Sequence, residues 1–468
     1  MTIFTKQLWI MATSLLLASC TSSQNESLSN TKHDEKSKKA IEQVVESYVS
    51  NHAFEGTILV SKSQNIVFER AYGFSDREKN QTTNTEHSFL LASLSKPLTA
   101  TLILMLEQQG KLSLDDSLAN YFPQFTGPLK QKITLHHLLS HTSGIPNHFG
   151  IDGWFEPEFH QATSDLDFIT VISKLPISSA PGKDYLYSNP AYFLLGQIVE
   201  KVTAQSFSTN LDNHILSPLS MRRSGVATGV GLDSGIVKGY QWRKDGGYRE
   251  QVAKNMDLFG AGAAIYSNIH DLYQFDLALY GNKLVNKNNK QRLFDPENAY
   301  SWRVGNVAIG KEQNVNVHMY DGQFDGFSTF MTRFVDDKHS IIILSNVSMS
   351  YFVKQQMTMD IAAILYDQEA PNRSNDVSLA LINGIVTGLF DETLNNILVN
   401  KESWLFSEAS LSALAYQVLW SGLGENSLKL FSLISTSFPD SSSAKQNLKQ
   451  ACSHRLTLSA SNREYICN

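Results

Sequence analysis

The sequence has 468 residues, which is more than one ordinary domain and favours two or more. Hydrophobic residues make up 42 % and charged residues 18 %, so the composition is that of a globular protein with ample apolar side chains for a large core. A formal net charge of −6 at pH 7, without a stripe of Lys or Arg, excludes the electrostatic pattern of a protein that binds nucleic acid.

Residues 1–20 have the pattern of an export signal. The apolar run 8–17 is too short to span a bilayer. It closes with Leu17-Ala18-Ser19-Cys20, which resembles the lipobox of bacterial lipoproteins and implies lipid attachment to Cys20; a secretory peptide cut near Ala18 is the alternative. We therefore expect a lipid-anchored protein of the cell envelope, facing the periplasm or the surface. The outer membrane is favoured because Thr21, and not Asp, follows the cysteine.

Three segments precede the first chemically informative stretch. Residues 21–37 are mostly Ser, Asn, Thr, Lys and Glu, which predicts a flexible tether. Apolar residues at helical spacing over 38–52 predict an amphipathic helix, and the segments 56–62 and 65–73 predict a hairpin of two strands.

The stretch 89–100 places a hydroxyl group and an amine at the start of a buried helix. Pro97 sets the helix start within about four residues before it, because proline has no N–H to donate. Ser93 therefore lies near the helix N-terminus, and Lys96 shares its face at roughly 5–6 Å between the Cβ atoms. This arrangement predicts a serine nucleophile with an amine beside it.

The remaining elements of this part of the chain define its fold class. From 110 to about 310 the signals are mainly those of helices and loops, 327–334 and 340–347 predict a second hairpin, and 350–368 predict a closing helix. Strands at both ends with helices between them predict an α+β domain over 38–368. Its mixed antiparallel sheet is flanked by helices and carries an inserted helical subdomain.

The composition of 369–375 predicts a linker, and 376–468 are helical in pattern. Within them, 413–448 resemble one tetratricopeptide-like helical hairpin without a second copy, so no binding solenoid is expected. We interpret this C-terminal domain as a small helical cap on the domain before it; recruitment of a protein partner is the alternative.

The three cysteines predict one lipid anchor and one cross-link. If Cys20 carries lipid, Cys452 and Cys467 remain as a pair in an oxidising compartment, which predicts a disulfide closing a short C-terminal loop. No His/Cys spacing suits zinc, so neither a metal nor another cofactor is expected.

Several patches in chain order resemble the β-lactamase-related serine hydrolases, a family that includes class C β-lactamases, DD-peptidases, D-aminopeptidases and esterases. The resemblance spans about 54–364. Its patches are Ser93-x-x-Lys96, the run 141–145, Tyr187-Ser188-Asn189, Gly260-Ala261-Gly262 and Tyr266-Ser267. The resemblance implies a β-lactamase/transpeptidase-like fold and hydrolysis of an amide or ester through an acyl-enzyme on Ser93.

The resemblance also implies a base for the nucleophile. A free Tyr, with a pKa of about 10, is a poor base, and a neighbouring Lys96 ammonium would favour its phenolate form. Tyr187 would then take the proton of Ser93, directly or through Lys96, and return it to the leaving group. Asn189 suits positioning of Lys96 and of a substrate amide. His141 is an alternative base, although its motif is architectural in the family.

The third motif departs from the family, which usually carries Lys or His, one residue and then Gly on a strand edge. Gly326-Phe327 sets the register and places Tyr320-Asp321-Gly322 at the motif; His318 would need an insertion to fill it. We prefer Tyr320, and both side chains share one face of the strand and are expected in the cleft.

Two consequences follow if Tyr320-Asp321-Gly322 fills the third motif. Gly322 lets a substrate approach the strand, and the N–H of Gln323 would pair with that of Ser93 as an oxyanion hole. A neutral Tyr320 in place of a cation holds a carboxylate less well, which predicts a poor β-lactamase that prefers an ester or a weakly acidic amide. The expected partner is a small-molecule or peptide substrate. The alternative is a non-catalytic receptor or scaffold that binds cell-wall fragments or a protein.

Overall fold

A computed structural model describes residues 35–154, 156–232, 235–252, 254–298, 300–310 and 313–453. The predicted signal and most of the tether lie outside these residues, as do Cys20 and Cys467. The lipid anchor and the Cys452–Cys467 disulfide therefore stay predictions. Among the described helices, none combines the length and the apolar character that crossing a membrane requires.

The main sheet has six strands, and every neighbouring pair in it is antiparallel. Its strands in chain order are β1 (Gly56–Lys62), β2 (Asn65–Tyr72), β3 (Arg303–Ile309), β4 (Gln313–Phe324), β5 (Phe327–Phe334) and β6 (His339–Ser345). The spatial order is β3-β4-β5-β6-β1-β2, so the first two strands complete the sheet on the edge left by the last. Both predicted hairpins are present, and the predicted α+β fold class is confirmed.

Helices fill the long insertion between β2 and β3 and cover one face of the sheet. The described helices up to residue 365, of which α2 to α11 lie in this insertion, are α1 (35–49), α2 (Ser95–Gln108), α3 (Leu118–Tyr121), α4 (Leu135–Leu139), α5 (Pro157–Ala162), α6 (Asp165–Lys174), α7 (Asn189–Thr203), α8 (Phe207–Leu211), α9 (Gly260–Ala263), α10 (Ile269–Tyr280), α11 (Lys287–Leu293) and α12 (Tyr351–Leu365). Helix α2 is buried along most of its length because nearly all of its residues are apolar or small.

Strand β6 shows why the sheet supports two cores. Its apolar run is buried on both faces, as is typical of a central strand. Ile342 and Leu344 join the core beneath α2, whereas Ile341 and Ile343 join a second core on the other face. The sheet is therefore a middle layer between two sets of helices.

The second core extends into the C-terminal helices α13 (Val377–Thr387), α14 (Phe390–Val399), α15 (Glu408–Trp420), α16 (Gly424–Ser437) and α17 (Ser442–Ser453). Helices α15 and α16 pack against each other, and α15 also packs on α12. The guanidinium of Arg249 donates to the carbonyl of Ser421 at 3.2 Å, and the N–H of Gly247 to that of Val386 at 2.6 Å. These contacts hold the C-terminal helices against the rest of the chain.

Candidate active site

Ser93 lies in a tight turn immediately before helix α2. The turn is a single 3₁₀ turn, Ala92–Leu94, and α2 starts at Ser95. Pro97 is the third residue of α2, where its missing N–H costs no hydrogen bond. Ala92 has φ of 52°, which is uncommon for a residue with a Cβ and stores backbone strain beside the nucleophile.

Four polar side chains meet at this turn. The oxygen of Ser93 lies 2.6 Å from the Tyr187 hydroxyl and 3.1 Å from Lys96 Nζ. Lys96 Nζ also donates to Asn189 Oδ1 at 2.8 Å and to the carbonyl of Gly262 at 2.9 Å. The Tyr187 hydroxyl donates to the same Asn189 oxygen at 3.2 Å. The structure thus brings together the four side chains that the first two motifs supply.

Local sequence explains how Tyr187 and Asn189 arrive there. Helix α7 begins at Asn189, and the Ser188 hydroxyl caps it by accepting from the N–H of Ala191 at 3.2 Å. Pro190 suits the first turn of the helix. Tyr187 and Asn189 therefore flank a capped helix start, which holds both side chains in a fixed direction.

The pKa shifts of Lys96 and Tyr187 run opposite to those that the predicted ammonium and phenolate require. Burial holds the pKa of Lys96 well below its usual range, and the amine has only neutral oxygens as hydrogen-bond partners. Burial also raises the pKa of Tyr187 above its usual range, although the hydrogen bond with Ser93 opposes this. We predicted a Lys96 ammonium that favours a phenolate. Burial instead shifts both pKa values toward the uncharged forms, for the fully buried amine and for the partly buried phenol.

His141 lies behind Tyr187. Its Nδ1 accepts the N–H of Ser188 at 3.2 Å, and its ring lies 4.6 Å from the Tyr187 ring, centroid to centroid. Burial lowers the pKa of His141 well below its usual range. These contacts support an architectural role for His141. The side chains that contact the Ser93 oxygen are those of Lys96 and Tyr187.

Tyr320 is buried on the face of β4 that points toward the α2 core. Burial, followed by the charges of Tyr187 and other tyrosines, raises its pKa well above the usual range, so the side chain is neutral. The guanidinium of Arg303 lies 5.5 Å from its ring centre. Tyr320 is thus an electrostatic neighbour of Tyr187.

His318 shares this face but belongs to a different cluster. Its ring stacks on Phe294 at 4.1 Å, and burial, with the charge of Arg333, lowers its pKa to about 3. Both side chains are packed into the core, and their presence in the substrate cleft stays a prediction.

Gly322 is required where β4 meets the turn. A Cβ at this position would lie 2.2 Å from the carbonyl oxygen of Leu91 and 2.4 Å from Thr329 Oγ1, which itself donates to that carbonyl at 2.8 Å. Only glycine permits this approach. The contact brings the next residue, Gln323, to the cavity that contains Ser93.

A family model described as Beta-lactamase matches residues 41–365, more than half of the chain. The chain belongs to this family. Penicillin-binding protein 4* of Bacillus subtilis (strain 168) is 26 % identical over 366 residues, with 72 % of this chain and 79 % of that protein covered. The putative penicillin-binding protein PbpX of the same strain is 30 % identical over 307 residues, with 65 % and 74 % covered.

Solved structures agree with this assignment. The D-amino acid amidase of Ochrobactrum anthropi SV3, complexed with L-phenylalanine amide, superimposes with a TM-score of 0.61 at 18 % identity. The match covers 71 % of this chain and 99 % of the amidase. At this identity the likeness shows the fold, and family membership makes this chain a β-lactamase-related serine hydrolase.

The hydrolase also contains a charge cluster, built around one fully buried lysine, that the sequence analysis missed. Lys354 of α12 is fully buried and donates to the carbonyl of Gly322 at 3.0 Å, and its Nζ lies 3.5 Å from Asp321. Arg303 contacts the other Asp321 oxygen at 2.5 Å. Burial opposes ionisation of Asp321, but Lys354 and Arg303 hold its pKa below the usual range. The available signal was the spacing of Lys354 from the apolar Met357 and Ile361, three and seven residues further on, which places the lysine on the buried face of α12.

The cavity above Ser93 has a volume of about 540 Å³. Its polar lining includes Asn189 and Gln323, and aromatic side chains surround them, namely Phe149, Trp154, Phe259 and Phe324. Lys254 lies at this cavity and is paired with Asp325 at 2.5 Å. The hydrolase therefore offers its substrate a cleft lined by aromatic and polar side chains, in which Lys254 already has an anionic partner.

Proposed function

We propose that this hydrolase cleaves an ester or a weakly acidic amide through an acyl-enzyme on Ser93. The observation that carries the proposal is the double contact of the Ser93 oxygen, at 3.1 Å from a buried amine and 2.6 Å from a partly buried phenol. A nucleophilic serine needs a proton acceptor within hydrogen-bond reach, and both candidates meet that condition.

The pKa directions favour Lys96 as the proton acceptor. A neutral amine has two N–H groups, which match the oxygens of Asn189 and Gly262, and one lone pair, which is then left for the Ser93 hydroxyl. In the proposed first step, Ser93 Oγ bonds to the substrate carbonyl carbon while its proton passes to Lys96 Nζ. The N–H groups of Ser93 and Gln323 would stabilise the negative oxygen that forms.

Tyr187 would complete the cycle as a proton donor. Its raised pKa keeps the phenol protonated, so it gives its proton to the leaving alcohol or amine as the bond to the acyl carbon breaks. The extra proton on Lys96 then passes to the Tyr187 phenolate, which restores the neutral amine and the phenol; the two groups are neighbours because both contact Asn189 Oδ1, at 2.8 and 3.2 Å. A water molecule repeats the sequence to release the acid.

The substrate preference rests on the cations near the cleft. Tyr320 is neutral, Lys254 is paired with Asp325, and Arg303 with Asp321. A substrate carboxylate would therefore find no unpaired cation among these groups, and a lost charge-assisted contact costs about 1–2 kcal/mol, or roughly tenfold in affinity. Short p-nitrophenyl esters should be turned over more efficiently than nitrocefin; efficient nitrocefin hydrolysis without esterase activity would contradict this preference.

A fluorescent phosphonate tests the nucleophile directly. The wild-type protein should be labelled on Ser93, as read by intact mass, and the Ser93→Ala variant should remain unlabelled. Absence of labelling of the folded wild-type protein would favour the non-catalytic receptor instead.

We also propose that the hydrolase works at the cell envelope with a lipid on Cys20. The lipobox-like run Leu17-Ala18-Ser19-Cys20 supports this location. Metabolic labelling with an alkyne fatty acid should mark the wild-type protein and leave Cys20→Ala unmarked. Equal labelling of both proteins would contradict the assignment.

A further inference from the structure

Part of the wall of the Ser93 cavity comes from the C-terminal helices, beyond the residues 41–365 that match the family. Gln417 and Trp420 of α15, together with Ser421, line the same cavity as Ser93. A segment that the sequence analysis interpreted as a cap thus reaches the catalytic cleft. Any role of this wall in recognition is particular to chains that carry these helices.

Gln417 is the polar group that requires an explanation. Only 5 % of the residue is exposed, yet neither its Oε1 nor its Nε2 has a hydrogen-bond partner among the described residues. Buried amides are ordinarily paired, because an unpaired donor or acceptor loses its hydration without compensation. Gln417 therefore offers one acceptor and two N–H donors to a molecule that enters the cavity.

Trp420 lies one helical turn further along α15 and is 74 % exposed. Its ring is 6.1 Å from that of Tyr416, centroid to centroid, at an interplanar angle of 33°. An aromatic face at the rim of a cavity covers planar or apolar ligand groups well. Spacing of three residues places Gln417 and Trp420 on one side of α15.

A second cavity of about 640 Å³ adjoins the first and shares lining residues with it. Both cavities are lined by Gln323, Gln417 and Trp420, and the second extends to Tyr351 of α12 and Asn447 of α17. A ligand held by Ser93 can therefore extend past Gln323 and along α15. Such a groove is longer than a single amino-acid amide or a short acyl ester needs.

We propose that α15 forms a distal subsite for a peptide-type substrate, in which Gln417 pairs with an amide group remote from the scissile carbonyl and Trp420 covers it. A peptide amide presents one C=O and one N–H, which the Gln417 side chain can pair with simultaneously. The inference rests on the proposed function because it extends the substrate of the same nucleophile. It narrows the substrate class to molecules with at least two amide groups.

Paired substrates test the subsite. The probes are p-nitrophenyl butyrate, which ends near Ser93, and N-acetyl-alanyl-alanine p-nitroanilide in both the L and the D series. Gln417→Leu should raise KM about tenfold for whichever nitroanilide is hydrolysed, while kcat for that substrate changes less than twofold. For p-nitrophenyl butyrate, both KM and kcat should change less than twofold. Trp420→Ala should also raise KM for the nitroanilide. Val399→Ala, at an 81 % exposed position on α14, should leave KM and kcat of both substrates unchanged. Equal effects on both substrates, or none, would overturn the subsite.

Folding and binding controls separate the possible failures. Gln417→Leu removes an unpaired buried amide, so its melting temperature should be equal to or above that of the wild type. In the Ser93→Ala variant, N-acetyl-alanyl-alanine amide should change the tryptophan fluorescence, and Trp420→Phe should abolish the change. Such binding without phosphonate labelling of the wild type would retain the subsite and reject the acyl-enzyme; labelling without binding would reject the subsite alone.

Discussion

Two fully buried lysines lie on opposite faces of the main sheet and differ in their neighbours. Lys96 of α2 donates only to neutral oxygens, whereas Lys354 of α12 lies 3.5 Å from the carboxylate of Asp321. Burial lowers the pKa of both amines and the charge of Asp321 opposes that effect at both, but only Lys354 is also hydrogen-bonded to this carboxylate. A carboxylate at hydrogen-bond distance thus distinguishes a structural cation from an amine that is free to accept a proton.

The largest effect is expected from Lys96→Met. Loss of the proton acceptor should lower kcat/KM for a p-nitrophenyl ester by about 10³- to 10⁴-fold. The same change removes a buried amine that lacks a charged partner, so the free energy of unfolding should stay equal or rise by about 1 kcal/mol. Esterase assays and urea unfolding measure both effects. A large loss of stability would show that Lys96 is a structural cation like Lys354.

Lys354→Met should give the opposite pattern. It leaves the partly buried Asp321 carboxylate with the exposed Arg303 as its partner, which should lower the free energy of unfolding by about 3 kcal/mol, the low end for a broken buried pair. The double variant Lys354→Met/Asp321→Asn should recover a part of that loss. Urea unfolding of the two variants provides the measurement. If the single variant is as stable as the wild type, the charge cluster does not hold β4 in place.

Tyr187→Phe isolates the phenol from the amine. Removal of the hydroxyl should lower kcat by about 10²-fold, since the leaving group then lacks its proton donor. The loss should be smaller for an ester with a nitrophenolate leaving group than for an anilide, because nitrophenolate needs no proton to depart. Equal losses for the two substrates would place Tyr187 in the first step instead.

The smallest expected effect that separates Lys96 from Lys354 is the pH dependence of activity and stability. Because burial depresses the pKa of Lys96, kcat/KM should rise with pH by up to tenfold per unit until the amine is neutral. Between the folded pKa and the unfolded value of about 10.4, the unfolded chain binds more protons, so the contribution of Lys96 to stability also rises with pH. Lys96→Met should remove both slopes. An activity that falls over this range would indicate a Lys96 ammonium.

The sequence predicted the elements whose patterns are local. The two hairpins, the buried α2 and the Ser93–Lys96 spacing follow from residue alternation, from Pro97 and from helical periodicity. Strand β3 lies within a region predicted to be mainly helix and loop, because its residues are largely exposed and lack a clear alternation. The strain at Ala92 and the charge cluster around Asp321 were missed because they depend on partners distant in sequence.

The sequence by itself determined the family, the fold class and the residue types that meet at the nucleophile, because these depend on spacing along the chain. Only the tertiary structure decided the direction of the pKa shifts of Lys96 and Tyr187 and the extent of the cleft. Burial of Lys96 requires α2, α7 and α9 to pack together. The approach of Gln417 to the Ser93 cavity likewise requires α15 to pack on α12, a contact between segments about fifty residues apart.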